Sequence, residues 1–361
     1  DVPAICLLDT GVNRGHALLE PAIAPADLQA YDGNWLTDDH HGHGTAMAGI
    51  ALHGDLVAQL ADTEVRVLSH RLESVKLLPP QGMDANNPNS YGAITQAAVA
   101  MPEITEPERS RVYCMAITND EVSGAQPSTW SAAIDQAAAG TMIGDDDNAP
   151  KRLFVLSIGN TEPVLQMVQW VGQDAYPAED PSQAWNALTV GGYTDLTTIA
   201  DAGYEGWTTL SEVGELSPHS RTSVGWMPSR SPFKPELVLE AGNRAVSPAR
   251  EDILSLDSLQ MLSTGRDVDR LPLVPFDGSS AAAALAARMA ARIAADHPEY
   301  WPEMIRALMI HSGEYTTPMR GAFEAQLNLR ERYALVRRFG YGVPDFERAS
   351  ASARDHLAMV T

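Results

Sequence analysis

The chain has 361 residues, 44% of them hydrophobic and 6% aromatic, with 27 glycines and 24 prolines. That is enough to bury a full core, and the frequent turn residues fit tight connections around a compact sheet better than a helical bundle, a coiled coil or a disordered chain. The formal net charge of -22 repels nucleic-acid phosphates and acidic membrane surfaces, and no concentrated basic patch offsets it, so neither is expected as a partner.

From the first residues on, Asp1-Val2-Pro3 lacks the basic start of a secretion signal, and no apolar run reaches the roughly eighteen residues that a membrane span needs. Apolar runs at 4–8, 65–68, 112–117, 153–158 and 187–190 predict short buried strands. Between them, the spacing at 45–52, 91–100 and 128–139 predicts helices packed on a sheet. The alternation argues for an α/β fold, a doubly wound and mainly parallel β-sheet flanked by helices. Residues 197–276 are turn-rich, and an alanine-rich helix over 280–295 follows. Another helix is expected at 302–312, with Pro302 in its first turn and Gly313 past its end. No linker interrupts the pattern, so 1–350 is read as one domain and 351–361 as a tail or the start of a further region. Cys6 and Cys114 both lie inside predicted strands, which reads as two buried free thiols and favours the cytoplasm over secretion.

Asp9-Thr10-Gly11 directly follows the first predicted strand, at the carboxyl end where open α/β sheets place their sites. Aspartic peptidases also carry Asp-Thr-Gly, but they need two facing carboxylates, and no second copy of the motif exists here. Next comes His43-Gly44-Thr45-Ala46-Met47-Ala48-Gly49, a histidine at the entrance of a helix whose small residues allow close approach to the sheet. Later, Gly278-Ser279-Ser280-Ala281-Ala282 sets a serine at a helix start, where backbone N–H groups point outward. Taken singly, Asp9, His43, Ser280 and Asn160 would each read as a turn or cap residue.

Together, Asp-Thr-Gly, His-Gly-Thr-x-x-Ala-Gly and Gly-Ser-Ser-x-Ala, in that order, resemble the subtilase (S8) family of subtilisin-like serine endopeptidases. The likeness continues through Ser157-Ile158-Gly159-Asn160, Tyr176-Pro177-Ala178, Val190-Gly191-Gly192, Lys234-Pro235-Glu236-Leu237 and Gly340-Tyr341-Gly342-Val343. The resemblance implies a catalytic triad of Asp9, His43 and Ser280, with Asn160 as oxyanion donor and an acyl-enzyme intermediate. It implies a polypeptide substrate laid against Ala116, Ile117 and Thr118 on one side and Ser157, Ile158 and Gly159 on the other. No cofactor is required.

This chain departs from the family pattern at several places. Ser279 stands where subtilases carry Thr, and Ala281 and Ala284 replace the usual Met and Pro, so the serine helix is expected to be regular. Ala116-Ile117-Thr118 replaces Ser-Leu-Gly, which leaves the specificity pocket open, and a cis bond is expected at Tyr176–Pro177. Residues 70–79 resemble a bacterial subgroup associated with AAA-type ATPases and imply such a partner; the alternative is a surface insertion. Zinc ligation by 38–43 ranks below the triad reading, and the acidic run 144–148 reads as a solvated loop or a structural calcium site. The alternative function is a catalytically inactive or gated protein of the same fold that holds peptides.

Overall fold

The computed structural model describes residues 2–162, 172–226, 231–326 and 328–351. Its first strand, Ala4–Asp9, is buried along its whole length. Side chains alternate across a strand, so a strand that is apolar on both faces must be covered on both. Ile5 and Leu7 accordingly join the core formed with helices His43–His53 and Gly278–Asp296, while Cys6 and Leu8 join the core beneath Tyr91–Thr105 and Thr129–Ala139.

Across the central sheet the strands run Glu215–Leu216, Leu188–Thr194, Leu153–Ser157, Arg111–Met115, Ala4–Asp9, Arg71–Lys76 and Leu28–Ala30, with Leu237–Glu240 also paired to Leu188–Thr194. Every pairing is parallel except that of the short Glu215–Leu216. This is the doubly wound α/β architecture expected from the sequence. Parallel pairing also aligns the carboxyl ends of three neighbouring strands, so Asp9, residues 116–118 and residues 158–160 emerge on one edge of the sheet. Beside them, the hairpin of Met261–Asp267 and Leu271–Phe276 lies along the His43 helix, where Ser263 and Thr264 hydroxyls donate to the Ala46 and Thr45 carbonyls at 2.6 and 2.7 Å.

Two expectations are corrected. Residues 65–68 form no strand: Val65 is 95% and Val67 93% exposed. The strand is Arg71–Lys76, which charged residues disguised. Its Glu73 is buried against Arg109 at 2.6 Å and Arg111 at 2.7 Å, and its buried Lys76 donates to the Asp38 carbonyl at 2.7 Å. Buried charges persist where every one has a partner, and here they occupy an interior strand that an apolar-run criterion passes over. Residues 71–76 are thus part of the core rather than a surface insertion. Secondly, the cis bonds fall at Asp180–Pro181 and Lys234–Pro235 and not at Tyr176–Pro177. Pro177 instead runs extended beside Thr222, with the Ala178 N–H donating to the Thr222 carbonyl at 2.8 Å, and the chain reverses later, at 179–182.

The serine helix is continuous from Gly278 to Asp296, and Pro302–His311 follows it as expected. Among the described residues, no helix is long and apolar enough to cross a membrane. Of the segment 351–361, all but Ala351 lies outside the described residues.

The two cysteines are free and buried on opposite faces of the sheet, and burial raises the pKa of both thiols. A maleimide or disulfide reagent should therefore modify neither Cys6 nor Cys114 in the native protein and both after unfolding in urea, as counted by intact mass.

Candidate active site

Asp9 ends the first strand with its side chain 1% exposed. Its Oδ1 accepts the Thr10 N–H at 2.8 Å and lies 2.8 Å from His43 Nδ1. A carboxylate can only accept, so Nδ1 carries the proton and Nε2 is left as the lone-pair nitrogen of the neutral ring. The His43 side chain is 34% exposed and opens the helix His43–His53. Burial pushes the imidazole pKa down, but the Asp9 charge and hydrogen bond, helped by the Asp39 charge, more than offset this and set it above the ordinary value of 6.5.

What aligns strand end and helix start is Asp39, which in the sequence stands within the possible zinc string 38–43. Its buried Oδ1 accepts from the Thr10 hydroxyl at 2.9 Å and the N–H groups of His41 and Gly42 at 3.0 and 2.7 Å. Its Oδ2 accepts both the N–H and the hydroxyl of Thr45 at 2.7 Å. Thr10 closes the loop by accepting the Gly44 N–H at 2.9 Å. One carboxylate thus takes the Thr45 N–H of the His43 helix together with the two N–H groups that lead into it, and ties them to the turn that carries Asp9. The signal was present in the sequence: an acidic residue within capping reach of a glycine-rich helix start.

Ser280 is the third residue of the helix Gly278–Asp296 and is 4% exposed. Helix and strand end meet through Gly278, whose φ of +82° suits glycine and where a Cβ would come within 2.9 Å of Asn160 Oδ1. The Ser279 N–H and hydroxyl both donate to that oxygen, at 2.8 and 3.0 Å. This fixes the orientation of the Asn160 amide and leaves its NH2 as the donor not used in this contact. It also separates the adjacent serines: the Ser279 hydroxyl is fully buried and engaged with Asn160, whereas Ser280, also buried at 4% exposure, makes no such bond. Phe276, just before the turn, packs its ring edge-on to His43 with centroids 5.5 Å apart. Among the described residues, Ser280 makes no hydrogen bond to His43, so the structure brings Asp9 and His43 into contact and holds the turn before Ser280 against Asn160 without closing the serine–histidine bond.

Behind the serine turn, Arg244 Nη2 donates to the Thr161 carbonyl at 2.9 Å and contacts His219 Nδ1 at 3.2 Å, and His219 Nε2 lies 3.4 Å from Asp277. Burial pushes the His219 pKa down to about 3 and that of Asp277 up to about 6. The residues after Asn160 and before Gly278 are joined through this buried group, in which His219 has a structural part that its isolated position in the sequence did not reveal.

Of the expected substrate walls, Ala116, Ile117 and Thr118 are half-buried, whereas Ser157, Ile158 and Gly159 are buried. Ile117 and Thr118 also line a cavity of about 370 Å3 with Leu77, Tyr91, Ile94 and Trp130. Among the described residues, no group of three or more His, Cys, Asp or Glu side chains is placed to hold a metal ion. Asp39 is occupied by the donors above, and Asp145 of the acidic run pairs with Arg152 at 3.0 Å.

A model of the subtilase family matches residues 2–342. Among solved structures, a cold adapted subtilisin-like serine proteinase aligns over 88% of this chain and 85% of its own, with 16% identity and a TM-score of 0.52. The epidermin leader peptide processing serine protease from Staphylococcus aureus aligns over 99% of this chain and 76% of its own, with 14% identity and a TM-score of 0.56. MycP1 with its N-terminal propeptide removed aligns over 96% and 90%, with 16% identity and a TM-score of 0.56. At these identities the likeness is one of fold. No curated protein sequence gives a significant match.

Removing the Asp39 carboxylate strands several buried donors at once, so Asp39→Ala should destabilise the fold by about 3 kcal/mol, read as a lower urea midpoint. An NMR titration should place the His43 pKa above 6.5, and Asp9→Asn should move it down. Because the folded-state value is raised, the stability that His43 contributes should be present below about pH 6.5 and lost as pH rises through the folded pKa.

Proposed function

The chain belongs to the subtilase family, whose members are subtilisin-like serine endopeptidases, and on that premise we propose that it hydrolyses peptide bonds with Ser280 as nucleophile, His43 as general base and acid, Asp9 as the orienting carboxylate and Asn160 as an oxyanion donor. The observation that carries this reading is the 2.8 Å bond from His43 Nδ1 to buried Asp9, which leaves Nε2 as the proton acceptor on the ring.

A serine hydroxyl is a poor nucleophile until a neutral imidazole takes its proton during attack. In the proposed reaction His43 Nε2 accepts that proton as Ser280 Oγ bonds to the substrate carbonyl carbon, and Asp9 stabilises the imidazolium so formed. The oxygen of the tetrahedral intermediate then faces the Asn160 NH2 and the Ser280 N–H, the latter one of the free donors at the helix start. His43 returns the proton to the leaving amine, which departs and leaves an acyl-enzyme. Water attacks the acyl carbon with His43 again as base, and Ser280 is restored. The open serine–histidine bond is compatible with this sequence, since such bonds commonly tighten only when substrate is bound.

The substrate is read as a polypeptide in extended form along residues 116–118, with an apolar side chain in the cavity walled by Tyr91, Ile94 and Trp130. Delivery by an AAA-type ATPase belongs to the proposal through the resemblance of residues 70–79 alone.

A fluorophosphonate should label the wild-type chain at Ser280, located by peptide mapping, and should leave Ser280→Ala unlabelled. A folded chain that takes no label, or takes it at Ser279, contradicts the assignment. Asn160→Ala should lower kcat by about 100- to 1000-fold with little change in KM, since its donor is used chiefly in the transition state.

A further inference from the structure

The two expected walls of the specificity pocket are bridged by an acidic side chain that the family motifs do not account for. Glu179 sits in a short strand beside the second wall, its N–H donating to the Ile158 carbonyl at 3.2 Å. Its side chain lies directly over Gly159: a Cβ at that glycine would meet Glu179 Cδ at 2.7 Å and Cγ at 3.0 Å. From the opposite wall, the Thr118 hydroxyl donates a short hydrogen bond to Glu179 Oε2. Oε1 forms a close ion pair with Arg221, and the two side chains are only 7% and 13% exposed. Arg221 is itself held, through Nε to the Asn160 carbonyl at 2.7 Å and Nη1 to the Pro177 carbonyl at 3.2 Å.

A large side chain next to the cleaved bond needs the space between residues 116–118 and 157–159. Here a carboxylate occupies it, and moving that carboxylate would break the bond to Thr118 and leave Arg221 buried without its counter-charge. An acidic substrate side chain would face Glu179 itself. A basic one would find that carboxylate already paired and would approach Arg221 with like charge. Taking the Proposed function as its basis, we infer that Glu179 closes the floor of the specificity pocket and restricts the residue on the acyl side of the cleaved bond to short uncharged side chains, such as alanine or serine.

The test is a set of peptides that differ only in this residue (Ala, Ser, Leu, Phe, Lys or Glu), assayed for kcat/KM beside the matching peptidyl phosphonates, whose adduct on Ser280 is read by mass. For the wild type, Ala and Ser should exceed Leu and Phe by about 10-fold or more, in the range that pocket shape alone can supply. Glu179→Ala should raise the value for Phe and narrow the gap, whereas Glu179→Gln, which keeps the volume, should retain the ranking. Folding of each variant is checked by thermal melt, and if Glu179→Ala does not fold, the wild-type ranking together with Glu179→Gln decides. Phosphonate adducts on Ser280 with Leu or Phe equal to or ahead of Ala overturn the inference and leave the peptidase reading standing. So does a folded Glu179→Ala with an unchanged ratio. Failure of every peptidyl phosphonate to react with Ser280 overturns the peptidase reading and this inference with it.

Discussion

Burying a carboxylate costs several kcal/mol unless donors surround it, and the site is organised around two such groups, Asp9 and Asp39. Asp9 is held at the end of a parallel strand, where its Oδ1 accepts from the Thr10 N–H and the His43 ring while its buried Oδ2 makes no hydrogen bond among the described residues. Asp39 is matched by five donors from the Thr10 turn, from His41 and Gly42 before the His43 helix, and from Thr45 within it. Because the second carboxylate grips both elements that present the first pair, the Asp9–His43 distance follows from the clamp. The Asp9–His43 hydrogen bond is thus a consequence of how the strand end and helix start are joined, and the raised pKa of His43 follows from the same arrangement.

The serine side is built by a different device. Asn160, at the end of a neighbouring strand, accepts two bonds from Ser279, and Gly278 allows the approach. The hairpin carrying Phe276 runs along the His43 helix and leads directly into the serine turn, so the histidine and serine halves share one support. Beneath, Arg244 and His219 link Thr161 to Asp277. Short loops from adjacent strand ends, joined by buried polar contacts, hold catalytic geometry better than a single long loop could.

Much of this was legible in the sequence because it depends on local signals. The strand Ala4–Asp9, the helix start at His43 and the alanine-rich helix through Ser280 are each announced by apolar spacing and turn residues. What was not legible depends on partners distant in the chain. Arg71–Lys76 reads as polar because the arginines that neutralise Glu73 lie at 109 and 111. Asp39 reads as one acid among several histidines until Thr10 and Thr45 are brought to it. Glu179 is an unremarked residue after Tyr-Pro-Ala until Thr118 and Arg221 converge on it from either side. The cis bond, expected at Tyr176–Pro177, likewise falls four residues later, at Asp180–Pro181.

In the proposed reaction these separate supports meet at one reacting centre. The most direct measurement is a crystal structure of the chain after reaction with a peptidyl phosphonate. In the proposed arrangement phosphorus is bonded to Ser280 Oγ, His43 Nε2 is turned toward the adduct, and the phosphonyl oxygen is within hydrogen-bond distance of both the Asn160 NH2 and the Ser280 N–H. An adduct on another residue, or one on Ser280 whose oxygen points away from Asn160 with His43 displaced from Asp9, would contradict it.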